Sequence, residues 1–341
     1  MTPTDPPRVA LLAVAADEAA YLPHYLFHHL RCGFAPIVVA VNNTADNSRA
    51  VLAAIAAAGH DVRVLEGDDL VADPAAFPPG ARSRQEALYH HALAAVEARS
   101  GSPDHVGPAY AMALDVDEFW LEPGGAPIGA YLARHPEAHS VSFNWFVPDD
   151  DDGAFAPPFA SDRLRGQWHG AVKSVWRVGS GFAALRAHNV RYPPGLARVQ
   201  IVAGGAALRP DLGTTQTLPT APDAPFVYHR MYRSLPEYLA ILVRGRLDHD
   251  DPIKSNRQGY RVYRRRRPET IRDYPFDPAY GAAWQADYAA FVADCGLAPL
   301  IAEARAAVGA RAARAWPLYR SLSASQQAAV RHVFAGTGLP A

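Results

Sequence analysis

Apolar and polar stretches alternate along the first part of the chain at the lengths of strands and helices. Residues 8–15 form an apolar run of strand length, and residues 18–30 carry their apolar side chains on one helical face. Residues 36–42 are a β-branched second strand, residues 48–59 an alanine-rich helix closed by glycine, and residues 62–65 a third strand. This succession predicts a parallel sheet with right-handed crossovers.

A second group of elements follows a loop rich in proline and glycine. The pattern predicts these further helices and strands: helices over 85–99, 128–134, 235–246 and parts of 284–336, and strands over 109–114, 140–147, 172–177 and 226–229. The segment 178–225 is rich in Gly and Pro and has no clear pattern. We expect an α/β fold with a mostly parallel sheet flanked by helices and a helical C-terminal extension. The predicted division is a catalytic domain over residues 1–250 and an extension over residues 251–341.

An acidic tetrad, Asp115 to Glu118, follows the apolar run 109–114 directly. The carboxyl end of a strand is where an open α/β sheet presents its ligand-binding groups. Asp115 and Asp117 point the same way along an extended chain, so they can share one divalent cation. Such a cation can neutralise a diphosphate leaving group. The alternative is a solvated acidic turn or the N-cap of a helix.

Composition narrows the class of protein. The 341 residues are 49% hydrophobic and 20% charged, as in ordinary globular proteins, and the net charge of -1 argues against a nucleic-acid-coating protein. The only cysteines are Cys32 and Cys295, so we expect no disulfide framework and no cysteine zinc site. There is no signal-peptide pattern and no apolar stretch of the roughly 18 residues that span a membrane. We expect a cytoplasmic protein, with peripheral contact at the inner face of the membrane left open.

Several motifs occur in a fixed order. They are Ala16–Glu18, Asn42–Ser48, Gln85–Leu93, Asp115–Phe119, Asn144–Phe146, Lys173–Arg177, His188 and His229–Ser234. Together they resemble the GT-A glycosyltransferases of the family 2 and family 92 type, which transfer a sugar from a nucleotide-sugar donor. The likeness covers roughly residues 8 to 250. It departs from the family at Ala16-Asp17, where relatives often carry lysine and asparagine, and at Met231 and Arg233.

The resemblance implies a Rossmann-like GT-A domain, with a donor half over about residues 8–120 and an acceptor half over about 121–250. It implies a metal-dependent hexosyltransferase that inverts the anomeric configuration. Uridine is the nucleotide that the family favours. The acceptor is expected to be a glycan, a lipid-linked sugar or a small molecule.

Donor contacts are expected at the ends of neighbouring strands. Asn42 and Asp46 can accept hydrogen bonds from base and ribose, although an Asx-turn that caps the helix at residue 48 is the alternative. Arg84 and Gln85, at the start of a helix, can meet the diphosphate, unless they are simply solvated. Glu18 is a further donor-binding candidate. Asp115 is counted both as a donor contact and as a metal ligand.

Metal and acceptor candidates come from both halves of the chain. Asp115 and Asp117 offer the oxygen ligands that Mn²⁺ or Mg²⁺ prefers. The resemblance implies a late histidine ligand, for which His229 is the candidate, and a nitrogen ligand favours Mn²⁺. Trp145 and Lys173 are candidate contacts to acceptor or phosphate, with a lysine that snorkels from a strand edge as the alternative.

An inverting transfer also needs a base near the acceptor hydroxyl. The candidates are carboxylates of the acidic loop, with Asp150 and Asp152 as its representatives, and the imidazole of His188. The sequence does not choose between them.

Rival functions remain open at this level. The basic run over residues 261–268 fits an anionic glycan, a phospholipid or a lipid-linked acceptor, or else a solvated loop; nucleic acid is not expected as a partner. Paired carboxylates also serve metal-dependent phosphoesterases and nucleotidyltransferases. A non-catalytic protein that binds sugars or nucleotides is the other alternative. No GxGxxG follows the first strand, which argues against a dinucleotide enzyme.

Overall fold

The computed structural model describes residues 5–100, 107–149, 153–159, 163–209, 211, 214–217, 223–244 and 252–338. The strands are β1 (Val9–Ala15), β2 (Phe34–Val41), β3 (Val62–Glu66), β4 (Tyr110–Ala113), β5 (Glu118–Leu121), β6 (Ser140–Pro148), β7 (Arg163–Arg177), β8 (Ala184–Leu185), β9 (Val190–Arg191), β10 (Gln200–Val202), β11 (Phe226–His229) and β12 (Arg272–Pro275). The helices are α1 (Leu22–Arg31), α2 (Ser48–Ala57), α3 (Asp68–Ala72), α4 (Arg84–Ser100), α5 (Ile128–Leu132), α6 (Leu235–Arg244), α7 (Val262–Arg266), α8 (Pro278–Asp294), α9 (Ala298–Ser321) and α10 (Ala324–Val330).

The first strands are buried on both faces, as strands of a helix-covered parallel sheet are. All residues of β1 are buried, and so are nearly all of β2. Helix α1 begins at Leu22 rather than at the predicted Glu18. The backbone N–H groups of Tyr21 and Leu22 both donate to the Glu18 carbonyl, at 2.9 and 3.0 Å, in a turn that precedes the helix. Pro23 then occupies the first helical turn, where its missing N–H costs no hydrogen bond.

The strands build one central sheet in the order β3-β2-β1-β4-β7-β6-β11-β5. Strands β10 and β12 add to it by pairing with β6 and β7 respectively. The pairs β3-β2, β2-β1 and β1-β4 are parallel, whereas β7 and β5 run antiparallel to their neighbours. The predicted fold class, a mostly parallel sheet flanked by helices with a helical C-terminal part, is confirmed.

Strand β7 is much longer than the predicted strand 172–177, which forms only its second half. Its pairing with β6 shifts register next to Trp145, which lies opposite His169, whereas the preceding Asn144 lies opposite Val172. The extra residues on β7 form a bulge, a feature that turns side chains toward a site. The segment 178–225, which the sequence left unassigned, contributes the short strands β8, β9 and β10.

The C-terminal helices pack onto the α/β layers. Trp284 and Phe291 of α8 and Ile301 of α9 belong to the same hydrophobic cluster as Leu26 of α1. The Trp284 indole N–H also donates to His28 Nδ1 at 3.2 Å. These contacts hold α8 and α9 against the helix that follows β1. Among the described residues, no helix has the length and apolar character needed to cross a membrane.

Candidate functional site

The acidic tetrad lies in the tight connection between β4 and β5. The Glu118 N–H donates to the Asp115 carbonyl at 2.9 Å, and the Asp115 N–H donates to Glu118 Oε2 at 2.8 Å. Strand β5 then turns back and pairs with β11, so that His229 lies opposite Glu118. This turn presents Asp115 and Asp117 beside the ends of β1 and β11.

A cavity of about 200 Å³ opens at this edge of the sheet. It is lined by Val14, Ala16, Glu18, Gln85, Asp115, Val116, Asp117, His229, Arg244, Lys254 and Arg257. The structure therefore brings together five of the predicted site residues, from Glu18 near the start of the chain to His229. It adds three cations, on α6 and in the segment after it, that the sequence did not single out.

Asp115 is held by three side chains. Its Oδ1 accepts hydrogen bonds from Gln85 Nε2 at 2.6 Å and from the Tyr89 hydroxyl at 2.7 Å. Its Oδ2 lies 3.2 Å from the Lys173 ammonium. Burial would raise the pKa of Asp115, but Lys173 outweighs it and the pKa is lowered. Asp115 is thus ionised and already oriented by its neighbours.

Lys173 is a buried cation between two carboxylates. Its side chain is 1% exposed, and its Nζ lies 3.0 Å from Oε2 of the fully buried Glu118. Burial would lower the pKa of Lys173, yet Asp115 and Glu118 hold it above its usual value. Burial also raises the pKa of Glu118 well above its ordinary range, and Glu118 Oε1 has no hydrogen-bond partner among the described residues. Lys173 therefore lies beneath the acidic pair, closed off from solvent.

Asp117 faces nitrogen donors. Its Oδ1 lies 3.6 Å from His229 Nε2, and its Oδ2 lies 3.9 Å from Arg257. Burial would raise the pKa of Asp117, but His229, Arg233 and Arg257 hold it well below the usual value. His229 Nδ1 is buried and has no partner within the described part of the chain. Asp117 and His229 together offer a carboxylate oxygen and an imidazole nitrogen at one edge of the cavity.

Glu18 is bound to two arginines. Arg233 approaches its Oε2 at 3.2 Å, and Arg244 forms a short ion pair with its Oε1. Arg244 also donates to the Ala16 carbonyl at 2.8 Å. Burial would raise the pKa of Glu18, but Arg244 and Arg233 lower it. Glu18 thereby fixes both guanidinium groups, of which that of Arg244 lines the cavity.

Lys254 and Arg257 complete the cationic part of the cavity lining. Burial, with Arg257 and Arg244 nearby, lowers the pKa of Lys254 to about 7. The Lys254 N–H donates to the carbonyl of Leu242 in α6 at 2.8 Å, which ties this segment to the helix. A lysine whose pKa is lowered in this way becomes fully protonated when an anion binds beside it. An anion that enters the cavity would therefore be stabilised beside Lys254.

The predicted donor turn has a structural role in the protein. Asp46 Oδ1 accepts from the Ser48 N–H at 3.0 Å and from the Ser48 hydroxyl at 2.5 Å, and Oδ2 accepts from the Ala19 N–H at 3.0 Å. Asp46 thus caps the start of α2 and joins it to the loop after β1. Asn42 is fully buried at the end of β2, and neither atom of its amide has a hydrogen-bond partner among the described residues.

The other predicted residues divide between the cavity and its surroundings. Arg84 begins α4, half-buried, one residue before Gln85. Asp150 and Asp152 lie outside the described residues. The acidic loop begins with Asp149, which is buried and forms an ion pair with Arg264 at 2.6 Å. That contact uses one arginine of the basic run, whose residues Val262–Arg266 form the short helix α7.

Three histidines surround Trp145. Its ring lies 4.2 Å from that of His229, 5.2 Å from that of His188 and 5.6 Å from that of His169, measured between centroids. His188 Nδ1 lies 3.0 Å from the Val172 carbonyl, so Nδ1 carries the proton and Nε2 keeps its lone pair.

His169 has the opposite tautomer. Its Nδ1 accepts from the Ala171 N–H at 3.1 Å, which places the ring proton on Nε2. Burial, with Lys173 nearby, lowers the pKa of His188 to about 4, so His188 is neutral at physiological pH. The two imidazoles thus differ in their unprotonated nitrogen: His169 uses Nδ1 to accept from the Ala171 N–H, whereas His188 carries its lone pair on Nε2.

The fit of a divalent cation depends on Asp117 and His229. Their oxygen and nitrogen are ligand atoms that Mn²⁺ accepts, and the orphaned His229 Nδ1 shows that this imidazole is not fully used by the protein. Asp115 fits less directly, because both of its oxygens are engaged by Gln85, Tyr89 and Lys173. No group of three His, Cys, Asp or Glu side chains in the described ranges is already arranged as a metal site.

Sequence reasoning missed the cations Arg244, Lys254 and Arg257. Two of them lie beyond residue 250, where the motif resemblance ends. The segment from Arg244 to Arg257 mixes four Lys or Arg residues with three Asp residues and lacks the motif order that marked the other site residues. Only the packing of α6 against the rest of the protein brings them to Asp117.

No protein-family model matches this chain. A search of curated proteins found no match either.

Solved structures do overlap with parts of the chain. Glucosyl-3-phosphoglycerate synthase from Mycobacterium tuberculosis, in complex with Mn²⁺, UDP and phosphoglyceric acid, is 14% identical over 60% of this chain and 70% of that chain, with a TM-score of 0.31. The same enzyme with phosphoglyceric acid alone gives 15% identity over 51% and 58%, with a TM-score of 0.30. The galactosyltransferase LgtC with donor and acceptor sugar analogues gives 17% identity over 39% and 46%, with a TM-score of 0.23.

The overlaps are partial. In the first matches the chain spans 42%, 44% and 58% of the length of the other structure, which is less than two thirds. Similarity at this level does not transfer a function.

Proposed function

We propose that this protein is a metal-dependent glycosyltransferase that takes a nucleotide-sugar donor into the cavity at Asp115 and Asp117. The observation that carries the proposal is the distribution of charge in that cavity. Carboxylates and cations line it together: Glu18, Asp115 and Asp117 with Arg244, Lys254 and Arg257. A nucleoside diphosphate that binds with a divalent cation needs both kinds of group, carboxylates for the metal and cations for the phosphate oxygens.

Asp117 and His229 would hold the cation, Mn²⁺ or Mg²⁺, with Asp115 as a further ligand if it exchanges its contact with Lys173. A bound cation supplies charge neutralisation for the diphosphate that departs. Lys173 then has a role of its own, because its ammonium keeps Asp115 ionised.

Arg244, Lys254 and Arg257 are proposed to bind the diphosphate. Guanidinium groups match phosphate oxygens with paired hydrogen bonds, and Lys254 would take up a proton as the anion enters. Gln85 and Arg84 lie at the start of α4, where backbone N–H groups also favour an anion. Asn42 remains the candidate contact to the nucleoside, since its buried amide lacks partners in the described part of the protein.

The proposed reaction is a single displacement. The acceptor hydroxyl oxygen forms a bond to the anomeric carbon while the bond from that carbon to the diphosphate oxygen breaks, and the nucleoside diphosphate leaves. The hydroxyl proton goes to a base, for which His188 Nε2 is the candidate with a free lone pair beside Trp145. Asp150 and Asp152 stay as alternatives.

The finer assignments follow from the motif resemblance. We propose a GT-A domain over residues 1–250, a UDP-linked hexose as the donor, a glycan, lipid-linked or small-molecule acceptor, inversion at the anomeric carbon, and a cytoplasmic location with peripheral membrane contact left open.

A thermal-shift panel tests the proposal. The protein is melted with uridine, guanosine and cytidine diphosphates and with their common hexose conjugates, each with and without Mn²⁺. We expect one nucleotide to raise Tm only when Mn²⁺ is present, because ligand that binds the folded state alone stabilises it. The product made from that donor is then examined by NMR. A retained anomeric configuration would overturn the single displacement, and a panel without any Mn²⁺-dependent shift would overturn the function.

A further inference from the structure

A second and larger cavity, of about 710 Å³, lies close to the cavity at Asp115 and Asp117, which we call the donor cavity. Its walls come from the first half of β7 and from the segment that runs from Gln258 through α7 to β12. We call it the β7 groove. One ring links the linings of the two cavities: Trp145 lies 5.6 Å from His169 of the β7 groove and 4.2 Å from His229 of the donor cavity, measured between centroids.

The charge of the β7 groove is of one sign. Arg266, Arg267 and Arg272 line it, and no Asp or Glu is among its described lining residues. Successive side chains of strand β12 point to opposite faces. Arg272 and Tyr274 line the groove, while Asp273 between them forms an ion pair with Arg165 at 3.2 Å. The negative charge of Asp273 is therefore paired outside the groove, whereas the positive charge of Arg272 lies in its lining.

The groove also offers aromatic faces and polar groups. Trp168 and Tyr274 lie 6.2 Å apart between centroids, and Tyr263 lies 5.8 Å from His169. The buried indole N–H of Trp168 has no hydrogen-bond partner among the described residues. Gln258 accepts from Arg266 at 3.0 Å. Aromatic walls with a few fixed polar groups are what a small polar ligand with an apolar face requires.

We propose that the β7 groove binds the acceptor, and that this acceptor is a sugar carrying an anionic substituent, a carboxylate or a phosphate. The inference rests on the proposed glycosyltransferase function. Arginines pair with both kinds of anion through two parallel hydrogen bonds, and the aromatic rings cover the apolar face of a pyranose. A sugar bound at the His169 end of the groove, beside Trp145, would direct one of its hydroxyl groups to the donor.

The test measures binding and does not require turnover. Glucuronate, glucose 6-phosphate and glucose are titrated into the full-length protein by ligand-observed NMR, with UDP and Mn²⁺ present to fill the donor cavity. We expect both anionic sugars to bind at least about tenfold more tightly than glucose, and Arg267→Gln and Arg272→Gln each to remove most of that preference. Both arginines are exposed, so the variants should fold, which their melting curves verify.

The matched control is Arg63→Gln, on β3 at the opposite edge of the sheet, which should keep the preference. Equal affinity for all three sugars, or a preference that survives both groove variants, would overturn the proposal. Binding of phosphatidylglycerol vesicles that the variants abolish, with no binding of either anionic sugar, would also overturn it.

The outcomes separate the two proposals. If UDP binds with Mn²⁺ but the anionic sugars do not, the groove assignment fails and the proposed function stands. If the anionic sugars bind in the groove but no nucleotide binds, the proposed function fails instead.

Discussion

Replacing Lys173 by methionine removes the cation beneath the acidic pair and keeps the volume of its side chain. The Lys173 ammonium lies 3.0 Å from Glu118 and 3.2 Å from Asp115. Asp115 is 36% exposed and keeps Gln85 and Tyr89, whereas Glu118 is fully buried and loses its cation. We therefore expect the cost of Lys173→Met to arise mainly at Glu118.

The cost can be bounded from other buried ion pairs, in which removal of one partner costs about 3–5 kcal/mol. Burial raises the pKa of Glu118 well above the model-compound value of 4.5 with Lys173 in place, so the wild-type protein already bears the cost of protonating this carboxyl. The loss of Lys173 adds the lost pairing with Glu118 and Asp115, and we expect about 3 kcal/mol, the lower end of that range.

The sign of the pH dependence follows from the raised pKa. A carboxyl that is protonated in the folded state and ionised in the unfolded state destabilises the fold increasingly as pH rises above the unfolded pKa. Because the pKa of Glu118 is raised in the wild type as well, this pH dependence is common to both proteins, and the deficit of Lys173→Met should be about 3 kcal/mol at both pH 7 and pH 5.

Urea unfolding of wild type, Lys173→Met and the double variant Lys173→Met/Glu118→Gln, at pH 7 and pH 5, measures this deficit. The double variant should recover most of the loss. A deficit below about 1 kcal/mol, or one that the double variant does not reduce, would refute the reasoning.

Two further predictions concern stability. Asp46→Ala should lower the free energy of unfolding by about 0.5–2 kcal/mol, because Asp46 caps α2 at Ser48 and holds the Ala19 N–H, and nucleotide affinity measured by calorimetry should stay unchanged if capping is its only role. Stability should also fall as pH drops from 6.5 toward 4. Burial lowers the pKa of His28 to about 4 and that of His24 to about 3, so in this pH range the unfolded chain takes up these protons and the folded protein does not. His28 alone accounts for about 3 kcal/mol, and a His28→Gln variant should lose less stability toward low pH than the wild type.

The sequence predicted the first half of the sheet well because parallel strands covered on both faces are continuous apolar runs. Strand β7 was predicted only in its second half, since its first half is mostly polar and contains Gly166 and Gly170, which weaken a strand pattern. Glycine at these positions reflects close packing: a Cβ at Gly166 would lie 2.3 Å from the Val147 carbonyl oxygen. The start of α1 was set four residues early, because the apolar periodicity does not register Pro23.

The candidate site was predictable where a motif stands next to a predicted strand or helix end. Asp115 and Asp117 directly follow a strand, Gln85 begins a helix, and the structure gathers them at one cavity. Lys254 and Arg257 could not be predicted, since they reach the cavity through the tertiary packing of α6 and the segment after it. Their local sequence mixes basic and acidic residues and carries no signature of a ligand.

The central claim is that Asp117 belongs to a site where a divalent cation and a nucleoside diphosphate bind together. Titration of Mn²⁺ followed by electron paramagnetic resonance, with and without UDP, tests it directly. The account predicts that UDP strengthens Mn²⁺ binding to the wild-type protein and that Asp117→Asn weakens it at least about tenfold, whereas Asp61→Asn, on the far edge of the sheet, leaves it unchanged. Equal Mn²⁺ affinity for wild type and Asp117→Asn in the presence of UDP would contradict it.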